Sequence, residues 1–186
     1  MKSLASLCVL MITLILNPFI ISTVASAKDN MITEREIVQA QKTWGDGVIA
    51  IGKAWTDGRD YTEATKAQVD GLYAYQLGPV LFCPTKAAKE QFRMTREGAI
   101  SYFVGGNKKF PEDKGFALQP WTSVRFENAG MFIHGDYAIA MGNYFFTSKE
   151  GKEVKVEYTF GYLKGDDGKL KVNLHHSSLP YPGIHP

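Results

Sequence analysis

The amino-acid sequence predicts an α+β domain, with helices first and a meander of strands last. Two observations carry this. Apolar residues recur at helical spacing from Ile37 to Trp55, and from Trp121 onward the apolar period changes to two. Turn residues then divide the second half into four strands.

The first helix is announced by Thr33 with Glu36 three residues later, a capping box. Ile37, Ala40, Trp44, Val48, Ile51 and Trp55 form its apolar stripe; Gly45, Gly47 and Gly52 weaken it, and Asp57-Gly58 ends it. A second helix is expected over Thr62–Tyr75, stopped by Gly78-Pro79. Val80–Cys83 reads as a short buried strand, followed by one or two helical turns from Pro84-Thr85 to Phe92. Thr95 caps a short helix, Arg96–Phe103, before Gly105-Gly106, and residues 107–120 form a loop. The strands are expected at 121–133, 136–147, 153–163 and 169–178. In the third of these Val154, Val156, Tyr158, Phe160 and Tyr162 share one face. A long helix packed into a strongly curved antiparallel sheet makes a cone whose mouth is a natural ligand pocket.

Residues 1–27 read as a signal peptide: Lys2 is the positive end, Leu7–Ile21 is almost wholly apolar, and Ala25-Ser26-Ala27 is a cleavage site. Asn17-Pro18 interrupts the span and argues against an uncleaved anchor, since a spanning helix needs about 20 apolar residues. Residues 28–186 are then a single exported domain, periplasmic or secreted, with no membrane attachment after cleavage. Loss of Lys2 and no acid lowers the formal charge of +2 by one, which gives no footprint for nucleic acid. Cys8 leaves with the signal, so Cys83 has no internal disulfide partner and reads as a small buried hydrophobe.

The last strand carries the candidate site. Leu170, Val172 and Leu174 alternate with Lys171 and Asn173. Strict period two then sends His176 and Ser178 inward with the apolar set, and His175 and Ser177 outward. Tyr102 on the short helix and Thr85 after the first strand are further pocket candidates. Taken singly, an inward histidine or a strand-end serine is more often structural than catalytic. A metal site finds little support, because neighbouring His175 and His176 diverge and neither His-x-His nor His-Glu-x-x-His occurs. Nucleophilic Ser-His-Asp chemistry lacks a Gly-x-Ser-x-Gly elbow.

The string His175-His176-Ser177-Ser178-Leu179-Pro180-Tyr181 resembles the C-terminal signature of the iota-class carbonic anhydrases. Blocks at 81–87, 99–106, 115–118, 124–128, 140–146 and 157–162 are similar to the same family, so the resemblance spans roughly residues 33–181. It implies an NTF2-like, SnoaL-like cone related to the calcium/calmodulin-dependent kinase association domain. It implies a homodimer and a pocket that interconverts carbon dioxide and bicarbonate. It implies no cofactor in the metal-free version, zinc or manganese being the alternatives, and carries hydroxyl roles onto Thr85, Tyr102 and Ser178. On that reading His176 relays a proton, and Phe103, Tyr158 and Phe160 keep the pocket dry around a small apolar gas. Two other functions fit the same scaffold: an isomerase or cyclase acting on a small organic substrate, and a non-enzymatic oligomerisation module. The first wants an inward carboxylate, whereas Glu127 and Glu157 fall on the polar faces of their strands.

Overall fold

The structure is a computed structural model that describes residues 31–183; the signal segment lies outside the described residues. Helix α1 (Glu34–Thr56) and helix α2 (Tyr61–Leu72) lead to strand β1 (Leu81–Cys83) and helix α3 (Arg96–Val104). A 3-10 turn (Phe116–Leu118) precedes β2 (Trp121–His134), β3 (Tyr137–Ser148), β4 (Glu153–Lys164) and β5 (Leu170–Ser178). The five strands form one sheet in the order β1-β5-β4-β3-β2.

The capping box at the start of α1 is formed: the Glu36 amide donates to Thr33 Oγ1 at 3.3 Å, and the Thr33 amide donates to Glu36 Oε2 at 2.8 Å. The face carrying Ile37, Gln41, Trp44, Val48 and Ile51 is buried against the sheet. The helix runs unbroken through its glycines, which permit close packing rather than ending it. A Cβ at Gly52 would stand 2.8 Å from the carbonyl oxygen of Ala117, so only glycine lets the 3-10 turn lie against α1.

Three expectations change. Helix α2 ends at Leu72, short of Tyr75, because the chain there turns to the sheet. Tyr73 bridges Val172 of β5, and the Ala74 amide donates to the Val172 carbonyl at 2.9 Å. Leaving the helix this way sends the Tyr73 ring into the core. Residues 84–95 form turns and bends without a helix. Their amides are satisfied instead by Glu112, whose carboxylate accepts from Ala88, Lys89 and Glu90 at 2.8–3.2 Å. Those donors hold the Glu112 carboxyl down at about 2. Finally, the sheet is mixed, since β1 adds to β5 in parallel, with Phe82 opposite His175 and Cys83 opposite His176.

The decisive irregularity is in β5. Tyr162 pairs with Val172 and its neighbour Gly161 pairs with Leu174, leaving Asn173 as an extra residue, a β-bulge. Leu170 and Val172 face the core before it. After it the phase is inverted, and His175 and Ser177 are buried. Gly161 makes the bulge possible: a Cβ there would meet Asn173 Oδ1 at 2.7 Å and Leu174 Cβ at 3.0 Å.

Candidate functional site

The bulge corrects the period-two placement. His176 is exposed, and Ser178 sits on the outer side of the sheet, donating to the exposed Glu157 carboxylate at 3.1 Å. Neither faces the cone's interior. The inward residues are His175, 2% exposed, and Ser177, 6% exposed.

The other expected residues do converge. Thr85 lies in the turn after β1, and because β1 runs parallel beside β5 that turn lies over the end of β5. Thr85 Oγ1 and Ser177 Oγ are hydrogen-bonded at 2.9 Å. The Tyr144 phenol, from β3, lies near enough to the same two hydroxyls for both to act on its ionisation. Tyr102 projects from α3, 6% exposed, with its hydroxyl near the backbone of Lys86, one residue beyond Thr85. Its ring stacks on Phe116 at 5.5 Å and borders a cleft of about 570 Å³ lined also by Lys86, Glu112 and Leu118. Burial raises the Tyr102 and Tyr144 phenols well above the ordinary tyrosine range, so both stay protonated near neutral pH.

Phe103 and Phe160 are part of the buried aromatic shell, as expected. Phe160 meets the His175 ring edge-on at 4.2 Å, and Phe103 stacks on Phe82 at 6.1 Å. Tyr158 packs its ring against Tyr144 at 5.4 Å but turns its hydroxyl away, to Gln41 and Asn128. It forms a wall, and its polar end belongs to a separate network.

His175 stands at the centre of this shell. Phe82 stacks on it at 4.4 Å and Trp44 meets it edge-on at 5.5 Å. Its Nδ1 is 2.9 Å from the Tyr73 hydroxyl, and its Nε2 is 3.5 Å from the Tyr144 hydroxyl. Desolvation, aided by neighbouring His176, pushes its pKa well below the usual histidine value. The imidazole is therefore neutral near pH 7. In the unfolded chain the same ring binds a proton below about pH 6.5 while the folded one does not, so folding stability falls as pH drops through that point. The slope is at most about 1.4 kcal/mol per pH unit for this group. We expect denaturant midpoints to fall between pH 7.5 and 5.5 more steeply for the natural protein than for His175→Gln. Equal slopes in the two proteins would contradict the buried neutral imidazole.

Sequence reasoning missed His175, Ser177, Tyr144, Tyr73 and Trp44 as site residues. One signal was present: Gly161, the glycine between Phe160 and Tyr162 in β4, marks a place where the neighbouring strand can bulge.

Carboxylates are arranged differently. Glu127 and Glu157 are exposed on their strands, and the buried acid Asp113 is held by Arg93 Nη2 at 2.7 Å and by the Ser101 hydroxyl at 2.6 Å. Glu112 and Asp113 line the cleft beside Tyr102, but Glu112 is engaged by the backbone amides of residues 88–90 and Asp113 by Arg93 and Ser101, so the isomerase or cyclase reading lacks a free base there. Among the described residues, no three His, Cys, Asp or Glu side chains cluster as metal ligands. Cys83 is half-buried, and burial raises its thiol.

The chain is 50% identical over 153 residues to a metal-independent carbonic anhydrase of Nostoc sp. strain PCC 7120, covering 81% of this chain and 75% of that protein. A cyanobacterial iota-carbonic anhydrase, solved in complex with bicarbonate, superposes with a TM-score of 0.81 at 46% identity; the match covers 83% of this chain and 96% of that one. A Xanthomonas campestris structure described as a calcium/calmodulin-dependent protein kinase II association domain matches with a TM-score of 0.55 at 26% identity, over 82% of this chain and 91% of that one. The profile of the metal-independent carbonic anhydrases matches residues 35–179, and with that span and those identities the chain belongs to the metal-independent, iota-class carbonic anhydrases.

Proposed function

We propose that the Thr85–Ser177 hydroxyl pair, with Tyr102 and Tyr144 beside it, is where this carbonic anhydrase hydrates carbon dioxide to bicarbonate and a proton. The observation that carries the reading is the 2.9 Å bond between Thr85 and Ser177, placed where the aromatic shell ends. Water attacks the carbon of carbon dioxide: a C–O bond forms as one C=O π bond breaks and places negative charge on oxygen, and one O–H bond of the water breaks, its proton passing to solvent or buffer. Zinc would ordinarily make water nucleophilic by lowering its pKa. Here the task falls to orientation and to donors aimed at the developing charge. Serine, threonine and two phenols kept protonated by burial are suitable donors. Phe82, Phe103 and Phe160 offer an apolar wall that carbon dioxide tolerates and that strengthens each polar contact by excluding water. Bicarbonate is the ligand of the cyanobacterial relative, and the same anion fits a site built of neutral donors.

The family's metal independence agrees with the expectation that no cofactor is needed. Stopped-flow hydration on chelator-treated protein, with metal measured on the same sample, tests this. We expect the rate to persist at metal contents far below one per chain. A rate that vanishes on chelation and returns with zinc or manganese would overturn the hydroxyl mechanism.

Export and dimerisation complete the proposal. The Ala25-Ser26-Ala27 motif supports the first, and the exposed Phe132 and Met141 on the sheet's outer face are compatible with the second. An intact mass beginning at Met1 would remove export, and a monomer in sedimentation would remove the dimer.

A further inference from the structure

The hydroxyl cluster is one end of a hydrogen-bonded row that begins deep in the core. Trp44 Nε1 donates to the Tyr73 hydroxyl at 2.8 Å, that hydroxyl meets His175 Nδ1 at 2.9 Å, and His175 Nε2 meets the Tyr144 hydroxyl at 3.5 Å. Tyr144 in turn lies beside the Ser177 and Thr85 hydroxyls, which act on its phenol.

The direction of the row follows from the chemistry of its first member. An indole N–H can only donate. Tyr73 receives that hydrogen, so its own single hydrogen is left for Nδ1. An imidazole that accepts at Nδ1 while neutral carries its hydrogen on Nε2. Nε2 then donates to Tyr144, whose hydrogen is left to point at Ser177 and Thr85. In the opposite tautomer, Tyr73 would receive two hydrogens and have nowhere to place its own, inside a shell of Phe82, Phe103 and Tyr75 rings. Buried polar hydrogens without acceptors are disfavoured.

We propose that Trp44 and Tyr73 are positioning residues for the hydration reaction. They lock His175 in the Nε2–H tautomer, so that every hydrogen in the row points toward the Thr85–Ser177 pair and Ser177 keeps its own hydrogen for the substrate oxygen. The inference rests on the hydroxyl-pair reading above. Neither residue touches that pair, and α1 and the end of α2 carry them in from outside the sheet.

The test is nitrogen-15 NMR of histidine-labelled protein, read alongside hydration kinetics for the natural chain and for Tyr73→Phe. We expect the natural His175 to show a protonated Nε2 and a bare Nδ1. In Tyr73→Phe we expect a mixture of tautomers, with kcat lower by roughly 10- to 100-fold, by analogy with the loss when partners that orient a metal-bound histidine are removed, and KM nearly unchanged. A natural spectrum with hydrogen on Nδ1 overturns the proposal, and that spectrum decides the matter even if Tyr73→Phe fails to fold. A folded Tyr73→Phe that keeps both tautomer and kcat overturns it too. Absence of hydration in the natural chain would instead defeat the site reading, and the nitrogen shifts would still report the lock.

Discussion

Ser177→Ala should lower the hydration rate by about 10²- to 10³-fold, the usual loss when one oxyanion donor is removed. Ser178→Ala should leave the rate within about twofold, as expected for a substitution outside the site. The two serines are neighbours with the same chemistry, so only the side of the sheet separates them. Ser177 is buried against Thr85, while Ser178 meets Glu157 on the outer side. Ser177→Ala removes one hydroxyl from a strand whose ladder is otherwise intact, so its thermal midpoint should stay close to that of the natural protein. Stopped-flow kinetics on both variants make the comparison. If Ser178→Ala were the inactive one, the bulge at Asn173 would not exist in solution and strict alternation would hold.

Arg93→Met should cost about 3–5 kcal/mol of folding stability, the usual penalty for stripping one partner from a buried ion pair. Arg93 is fully buried. Its guanidinium donates to Asp113 at 2.7 Å, hydrogen-bonds the Glu90 carbonyl, and stacks over the Phe110 ring at 4.5 Å. Asp113 also accepts from Ser101, on the turn of α3 beside Tyr102. One side chain thus clamps the 84–95 segment, the 107–115 loop and α3, which between them carry Thr85 and Tyr102. Without it, Asp113 is a buried charge with a single hydroxyl partner. In a domain of this size the loss corresponds to a melting temperature lower by roughly 10 °C. Arg93→Met with Asp113→Leu should recover part of the loss, since no charge is then left unpaired. A double variant less stable than Arg93→Met would mean that the cost comes from lost packing on Phe110 rather than from the stranded acid.

The fold was largely legible in the residue pattern. Thr33 with Glu36, the stripe through Trp44, and the turns at Gly135-Asp136, Gly151 and Asp167-Gly168 each act within a few residues, so local reading placed α1 and β2–β5 within about two residues at each end. The errors were non-local. Tyr75 lies outside α2 because Tyr73 bridges Val172, about a hundred positions away. Residues 84–92 hold no helix because Glu112 supplies the acceptors that their amides would otherwise find in a helix.

The site divides along the same line. From the sequence came the last strand, the hydroxyl residues Thr85 and Tyr102, the aromatic walls Phe103 and Phe160, and the resemblance that named the chemistry. The tertiary structure decided which serine and which histidine face inward. Alternation in a strand is a local rule that holds only while each residue has one partner, and a bulge is a property of two strands together. Gly161 on β4 leaves the space and Asn173 on β5 takes it. That one extra residue moved His176 and Ser178 out and brought His175 and Ser177 within reach of Tyr144 and Thr85.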